Sequence, residues 1–199
     1  MEIINLEDLK HGNRVANYSI DLATKLNLSD YNISSIYLSG LFHDIGKSQL
    51  NQNILNKPGI LTESEKAHIN KHPFYSYREV LKMGYPKNIA LDILYHHENW
   101  NGTGYPKGLK NLEIPLGARI LKIMDVFDAL TVERPYRKKL NINEALSIMD
   151  KEILTYDPTL YLLFTRYIAE KHKTSIIRSN FPNLSRILDN KYLYLRNEF

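Results

Sequence analysis

At 199 residues, with 43% hydrophobic and 24% charged residues, the chain has the size and composition of one globular domain around a single core. Its formal net charge of +4 is too small to point to DNA or RNA as a partner. It contains no cysteine, which excludes disulfides, iron–sulfur clusters and thiolate ligands, and no apolar run approaches the roughly 18 residues of a membrane span.

The opening Met1-Glu2-Ile3-Ile4-Asn5 lacks the basic and apolar regions of a signal peptide, so a cytoplasmic location is expected. Helical periodicity dominates and no alternating strand of useful length occurs, which predicts an all-α fold. A first helix is predicted to begin near Leu6, with Val15, Tyr18, Leu22 and Leu26 on one face. The apolar run 36–42 and the segment holding Ile89, Ile93 and Leu94 predict two more helices, each ending at a histidine pair or a His-Asp pair. Punctuation at Lys57-Pro58-Gly59 and Met83-Gly84-Tyr85-Pro86 separates them, and residues 100–115, with Gly102, Gly104, Pro106 and Gly108, form a long loop of the kind that usually carries function.

Directly after Pro115, Leu116, Ile120, Ile123, Phe127 and Leu130 repeat at helical steps and predict a buried helix. Ile142, Ala145, Leu146, Met149 and Ile153 predict another, capped by Asn141 or Asn143. Beyond Ser179, Leu184, Ile187, Leu188, Tyr192 and Leu195 suggest a final amphipathic helix, so residues 1–178 are expected to form the main body and 179–199 a helical tail of the same domain.

Within this frame lies a metal-ligand inventory. Glu7 and His11 stand four apart on one helix face. His43 and Asp44 are adjacent, His72 precedes Pro73, and His96 and His97 are adjacent. Asp125 is a carboxylate amid the apolar Ile123-Met124 and Val126, expensive unless paired or metal-bound. Neighbouring histidines on a helix point about 100° apart, so His96 and His97 are expected to serve two adjacent ions rather than one. Nitrogen and oxygen donors without thiols suit a hydrolytic cluster of two or three iron, manganese or zinc ions. His68 and His172 have no such company and read as surface or packing residues. The basic run Arg134, Arg137, Lys138 and Lys139 is either a solvated face or a phosphate contact.

These residues resemble a known family. Leu41-Phe42-His43-Asp44-Ile45-Gly46-Lys47, Lys57-Pro58-Gly59 and His72-Pro73 are similar to the HD superfamily. His96-His97-Glu98, Gly104-Tyr105-Pro106, Ala118-Arg119-Ile120, Asp125-Val126-Phe127-Asp128-Ala129-Leu130-Thr131 and Arg134-Pro135-Tyr136-Arg137 narrow the resemblance to HD-GYP phosphodiesterases, from about Glu7 to Asp157-Pro158.

The resemblance implies a helical-bundle HD domain that hydrolyses cyclic di-GMP to pGpG and on to GMP. It implies His11, His43, Asp44, His72, His96, His97 and Asp125 as ligands, with Glu7 permitting a third ion, and iron or manganese over zinc. Asp44 would bridge two ions and activate water, Lys47 would face the phosphate, and Tyr105, Arg134 and Arg137 would contact substrate, leaving Lys138 and Lys139 as solvated charges. Trp100 is expected to anchor the loop rather than stack on guanine.

Asn101 stands where aspartate is more usual, and Val132-Glu133 where serine and aspartate are. Two alternatives accompany this reading: action on another cyclic dinucleotide such as 3′3′-cGAMP, and a non-catalytic receptor or adaptor for diguanylate cyclase (GGDEF) proteins. Either a stand-alone hydrolase or an excised catalytic domain, and either a monomer or a homodimer, suits the sequence, with no membrane and no nucleic acid as partner.

Overall fold

The computed structural model describes residues 6–133 and 138–172, and among them it is all helical. Helix α1 spans Leu6–Lys25, α2 Asp30–Phe42, α3 Gln52–Leu55, α4 Glu63–Ile69, α5 His72–Lys82, α6 Lys87–Tyr95, α7 Leu116–Thr131, α8 Ile142–Lys151 and α9 Pro158–His172. Short 3₁₀ turns occupy Ile45–Gln49, Asn111–Glu113 and Ile153–Thr155. The expected tail helix beyond Ser179 lies outside the described residues. No helix among the described residues is long and apolar enough to cross a membrane.

Helix α7 is the central post. Its Ile120, Ile123, Met124 and Phe127 are buried against α1, α8 and α9 in one core, where Phe127 meets the ring edges of Tyr18 and Phe164 at 5.6 and 5.1 Å between centroids. A smaller core of Val80, Ile89, Ala90 and Ile93 joins α5 and α6, with Leu38 and Phe42 of α2 packed on it. The caps follow the sequence. Ser29 accepts from the Asn32 N–H to start α2, and Asn141, not Asn143, caps α8 in a reciprocal box with Glu144. Helix α8 stops at Lys151, so Ile153 falls in a 3₁₀ turn rather than on the helix its spacing predicts.

Helices α1 and α2 cross at two glycines. A Cβ on Gly12 would stand 2.6 Å from the Leu41 carbonyl oxygen, and one on Gly40 would stand 2.8 Å from Ala16 Cα. This contact brings the following turn of α2, and with it His43, against His11, the two rings 5.0 Å apart.

Asp92 of α6 is buried at the junction of α2, α6 and α7 and accepts from Ser39 Oγ at 3.3 Å and from the Ala118 N–H. Burial raises its carboxyl to about 7, against the lowering effect of Ser39, the Ala118 N–H and Arg119. Below about pH 4 both folded and unfolded chains hold this proton, and between about 4 and 7 only the folded chain does. Its contribution to stability is therefore complete below about pH 4 and is lost as pH rises to about 7. Asp92→Asn should remove that loss, so urea unfolding at pH 8 should show the variant gaining stability relative to wild type compared with pH 5. A difference that does not change with pH would contradict the assignment.

Candidate metal centre

Three of the site's histidines stand at helix ends, and the backbone there fixes their rings. His43 follows the last residue of α2, His96 follows the last of α6, and His72 opens α5. Each uses Nδ1 to reach the carbonyl three residues back: His43 to Gly40 at 2.8 Å, His72 to Ile69 at 2.9 Å, His96 to Ile93 at 2.6 Å. A carbonyl only accepts, so Nδ1 must carry the proton and Nε2 the lone pair. All three Nε2 atoms point inward.

There they meet each other. His72 Nε2 is 3.4 Å from His96 Nε2 and 3.1 Å from His97 Nε2. His97 lies one residue further past the end of α6, and its ring centroid is 3.9 Å from that of His96. Both therefore converge with His72, where the spacing of consecutive helical residues predicts a divergent pair.

The second group forms from three other elements. His11 of α1 places Nε2 3.1 Å from Asp125 Oδ1 of α7, and His43 Nε2 is 4.0 Å from the same oxygen. Asp44 lies between the groups. Its Oδ1 is 3.3 Å from His72 Nε2, and its Oδ2 is 3.3 Å from His43 Nε2 and 3.5 Å from His11 Nε2. Three sets, His72–His96–His97, His11–His43–Asp125 and His43–Asp44–His96, each have donor atoms within 4.8 Å of one another.

These residues fit metal ions on the structure's own terms. His43 Nε2 and Asp44 Oδ1 are buried with no hydrogen-bond partner. The Nε2 lone pairs of His72 and His96, which face each other at 3.4 Å, repel unless a cation lies between them. Burial lowers His72, pushes His97 down to about 3 and, with the neighbouring His97, His43 and His72 charges, holds His96 well below the usual range, so all three are neutral ligands near pH 7. Burial acts to raise Asp44 and Asp125, but His43 and Lys47 around the first, and His11 and His43 around the second, hold both well below the usual carboxylate range.

Glu7 is not among the assembled donors. Its carboxylate lies 2.8 Å from Lys10 Nζ with the side chain 66% exposed. Its neighbour Asp8 is the half-buried carboxylate on this turn: burial raises it, the Lys47 charge lowers it and the Asp44 charge raises it. Lys47 pairs with Asp44 Oδ2, and Gly46 lets this turn sit on α5, its N–H donating to Ser76 Oγ at 2.9 Å where a Cβ would meet the His72 carbonyl oxygen at 2.5 Å. Lys122, half-buried one turn before Asp125, is a second lysine near the site that sequence reasoning passed over, although a lysine inside an apolar helical run was a visible signal.

The 100–115 loop is tied to the centre by residues the sequence reading left without a role. Glu98, buried next to His97, accepts from the Lys107 N–H at 2.6 Å and the Leu109 N–H at 3.1 Å. Tyr105 then stacks on His97, 4.9 Å between centroids at 28°, and burial pushes its phenol up. Trp100 donates its backbone N–H to the Thr155 carbonyl and lies under the Arg119 guanidinium, as expected of an anchor. Arg119 in turn binds Asp157, which caps α9. Arg134 and Arg137 lie outside the described residues, while Lys138 and Lys139 are exposed. His68 accepts from the Asn51 N–H away from the centre.

Residues 1–160 match the family model described as HD domain. The chain belongs to the HD domain family. Among curated relatives it is 38% identical over 173 residues to a 3′3′-cGAMP-specific phosphodiesterase of Vibrio cholerae, covering 85% of this chain and 40% of that protein. It is 36% identical over 180 residues to a cyclic di-GMP phosphodiesterase of Pseudomonas aeruginosa, covering 90% and 44%. The chain thus spans less than half the length of these relatives. Among solved structures, the HDG"Y"P protein Bd1817 of Bdellovibrio bacteriovorus superposes with a TM-score of 0.65 at 25% identity, over 86% of this chain and 55% of that one.

A pH effect follows from His11. Burial lowers it, but the carboxylates of Asp125 and Asp128 on its two nitrogens raise it to about 9. A cation taking Nε2 must displace that proton, so metal uptake near pH 7 should release a proton, and affinity should rise with pH up to about 9, by at most roughly tenfold per unit. Calorimetric metal titrations in buffers of different ionisation enthalpy measure this directly. Uptake without proton release would contradict it.

Proposed function

We propose that this chain is a metal-dependent phosphodiesterase that hydrolyses cyclic di-GMP to pGpG and then to GMP. The single observation that carries the reading is Asp44, whose two carboxylate oxygens face two separate groups of imidazoles. Such a carboxylate could bridge two ions, which His72, His96 and His97 on one side and His11, His43 and Asp125 on the other would hold. Bound ions would supply a nucleophilic hydroxide near neutral pH and charge to offset the phosphodiester. We infer iron or manganese from the family resemblance, and the imidazole and carboxylate donors, with no thiol, suit either. A third ion through Glu7 has no support in the placement of its side chain on Lys10.

The chain's own residues then bind and orient. Lys47, a largely buried ammonium beside Asp44, is placed to meet a non-bridging phosphate oxygen or to hand a proton to the leaving 3′ oxygen. Burial acts to lower it, but Asp44 raises it above its ordinary value, so it is charged when substrate arrives. Tyr105, held over His97, offers a hydroxyl that stays protonated and can donate to phosphate. Arg134 and Arg137 belong to the same substrate reading by resemblance. A cytoplasmic location suits a second-messenger substrate.

A second substrate has a specific observation behind it: relatives named as 3′3′-cGAMP-specific phosphodiesterases match at 38% and 40% identity. The phosphates of both dinucleotides are alike, so the metal chemistry is shared and only base contacts would differ. A purely adaptor role, for a GGDEF protein, is disfavoured by the assembled donor set.

Chromatography of products from anaerobically purified, iron- or manganese-loaded protein should show pGpG and then GMP. Asp44→Ala should lower kcat by at least about a thousandfold, the several kcal/mol expected for lost metal stabilisation. Lys47→Met should lower kcat about a hundredfold with a smaller change in KM. Glu7→Ala should keep wild-type metal content and turnover. Metal-loaded protein that hydrolyses neither cyclic di-GMP nor 3′3′-cGAMP would overturn the proposal.

A further inference from the structure

His11 differs from the other histidines in what holds its ring. His43, His72 and His96 are each fixed by a backbone carbonyl three residues back, a local contact that helix ends provide. His11 lies inside α1, where backbone carbonyls are committed to the helix ladder. Its Nδ1 turns instead to Asp128 Oδ2 at 2.7 Å, a contact spanning 117 positions of sequence.

Asp128 is itself immobilised. It is buried, and Arg14 forks onto it, Nε donating to Oδ1 at 2.7 Å and Nη2 to Oδ2 at 3.0 Å. A buried carboxylate requires such a partner, and a two-pronged guanidinium fixes its plane as well as offsetting its charge. The two helices carry matched pairs. On α1 the ligand His11 is followed one turn later by Arg14, and on α7 the ligand Asp125 is followed one turn later by Asp128. The inner turn of each helix faces the metal donors and the outer turn builds the brace.

We propose that Asp128, clamped by Arg14, is a positioning residue that sets the affinity of one metal position, His11–His43–Asp125, and leaves the other, His72–His96–His97, unaffected. The inference rests on the two-ion reading above. Among the described residues, no member of the His72–His96–His97 group contacts the brace: His72 and His96 are held by Ile69 and Ile93, and His97 is stacked on Tyr105. Supporting carboxylates of ligating histidines typically contribute 10–100-fold to metal affinity. That effect should fall on one equivalent only.

The test is a competitive Mn²⁺ titration of the full chain against a chelator, with manganese electron paramagnetic resonance to distinguish coupled from isolated ions. Wild type should bind two equivalents. Asp128→Asn, which keeps the shape but loses the charge, should weaken one equivalent 10–100-fold and leave the other as in wild type, with the coupled signal replaced by that of an isolated ion at limiting metal. His11→Ala should abolish the same equivalent, and adding Asp128→Asn to it should cost nothing more. Arg14→Gln, with Asp128 left in place, should weaken that equivalent about three- to tenfold and guards against a folding defect in the aspartate variant. Equal weakening of both equivalents, or of neither, in folded variants would overturn the inference. Fewer than two equivalents in wild type would overturn the two-ion reading and this inference with it, and is told apart by appearing before any substitution.

Discussion

The constraint on which the site depends is the orientation of imidazoles by helix-end carbonyls. Once Nδ1 of His43, His72 and His96 donates to the chain's own backbone, each Nε2 is left as a bare acceptor aimed at the others. Such a cluster of buried acceptors is unfavourable alone, and a cation resolves it. The fold accepts this local cost because the surrounding cores, centred on Phe127 of α7 and on Ile89 and Ile93 of α6, hold the helix ends in place. Stability is generated in apolar layers next to a centre that contributes little of its own.

The same layers explain how distant segments meet. The close α1–α2 crossing at Gly12 and Gly40 sets His11 against His43, and the turn at Gly46 sets Lys47 and Asp44 beside the start of α5. Glu98 then couples the metal donors to the 100–115 loop, since one residue after His97 its carboxylate gathers two loop N–H groups. Tyr105 is thereby held on His97, so the proposed substrate contact and the proposed metal ligand share one support. Where charges are buried away from the metals, as with Arg119 and Asp157, they tie loop, α7 and α9 into one frame.

Much of this was legible in the sequence, for identifiable reasons. The apolar spacing of α1, α7 and α8 reports core faces, and the candidate donors stood out as a set of His and Asp residues, where a single His-Asp pair at a helix end would not have been distinctive. What was not legible depended on what another element supplies or which way a first-turn side chain turns. Glu7 and His11 share a face by spacing, yet Glu7 pairs with Lys10 and Asp8 takes the half-buried position near Lys47 and Asp44. His96 and His97 converge on His72, which the angular spacing of adjacent residues does not reveal because the third ring comes from another helix. Asp128 and Glu98 were visible as motif members but not as supports, because their partners are two residues of another helix and backbone amides across a loop.

The central claim is that Asp44 bridges two ions, and the most direct measurement is a crystal structure of manganese-loaded protein with anomalous scattering at the metal edge. The account predicts two peaks about 3.5–4 Å apart, as in other two-metal hydrolytic sites, with one oxygen of Asp44 on each. A single peak, or two peaks neither of which touches Asp44, would contradict it.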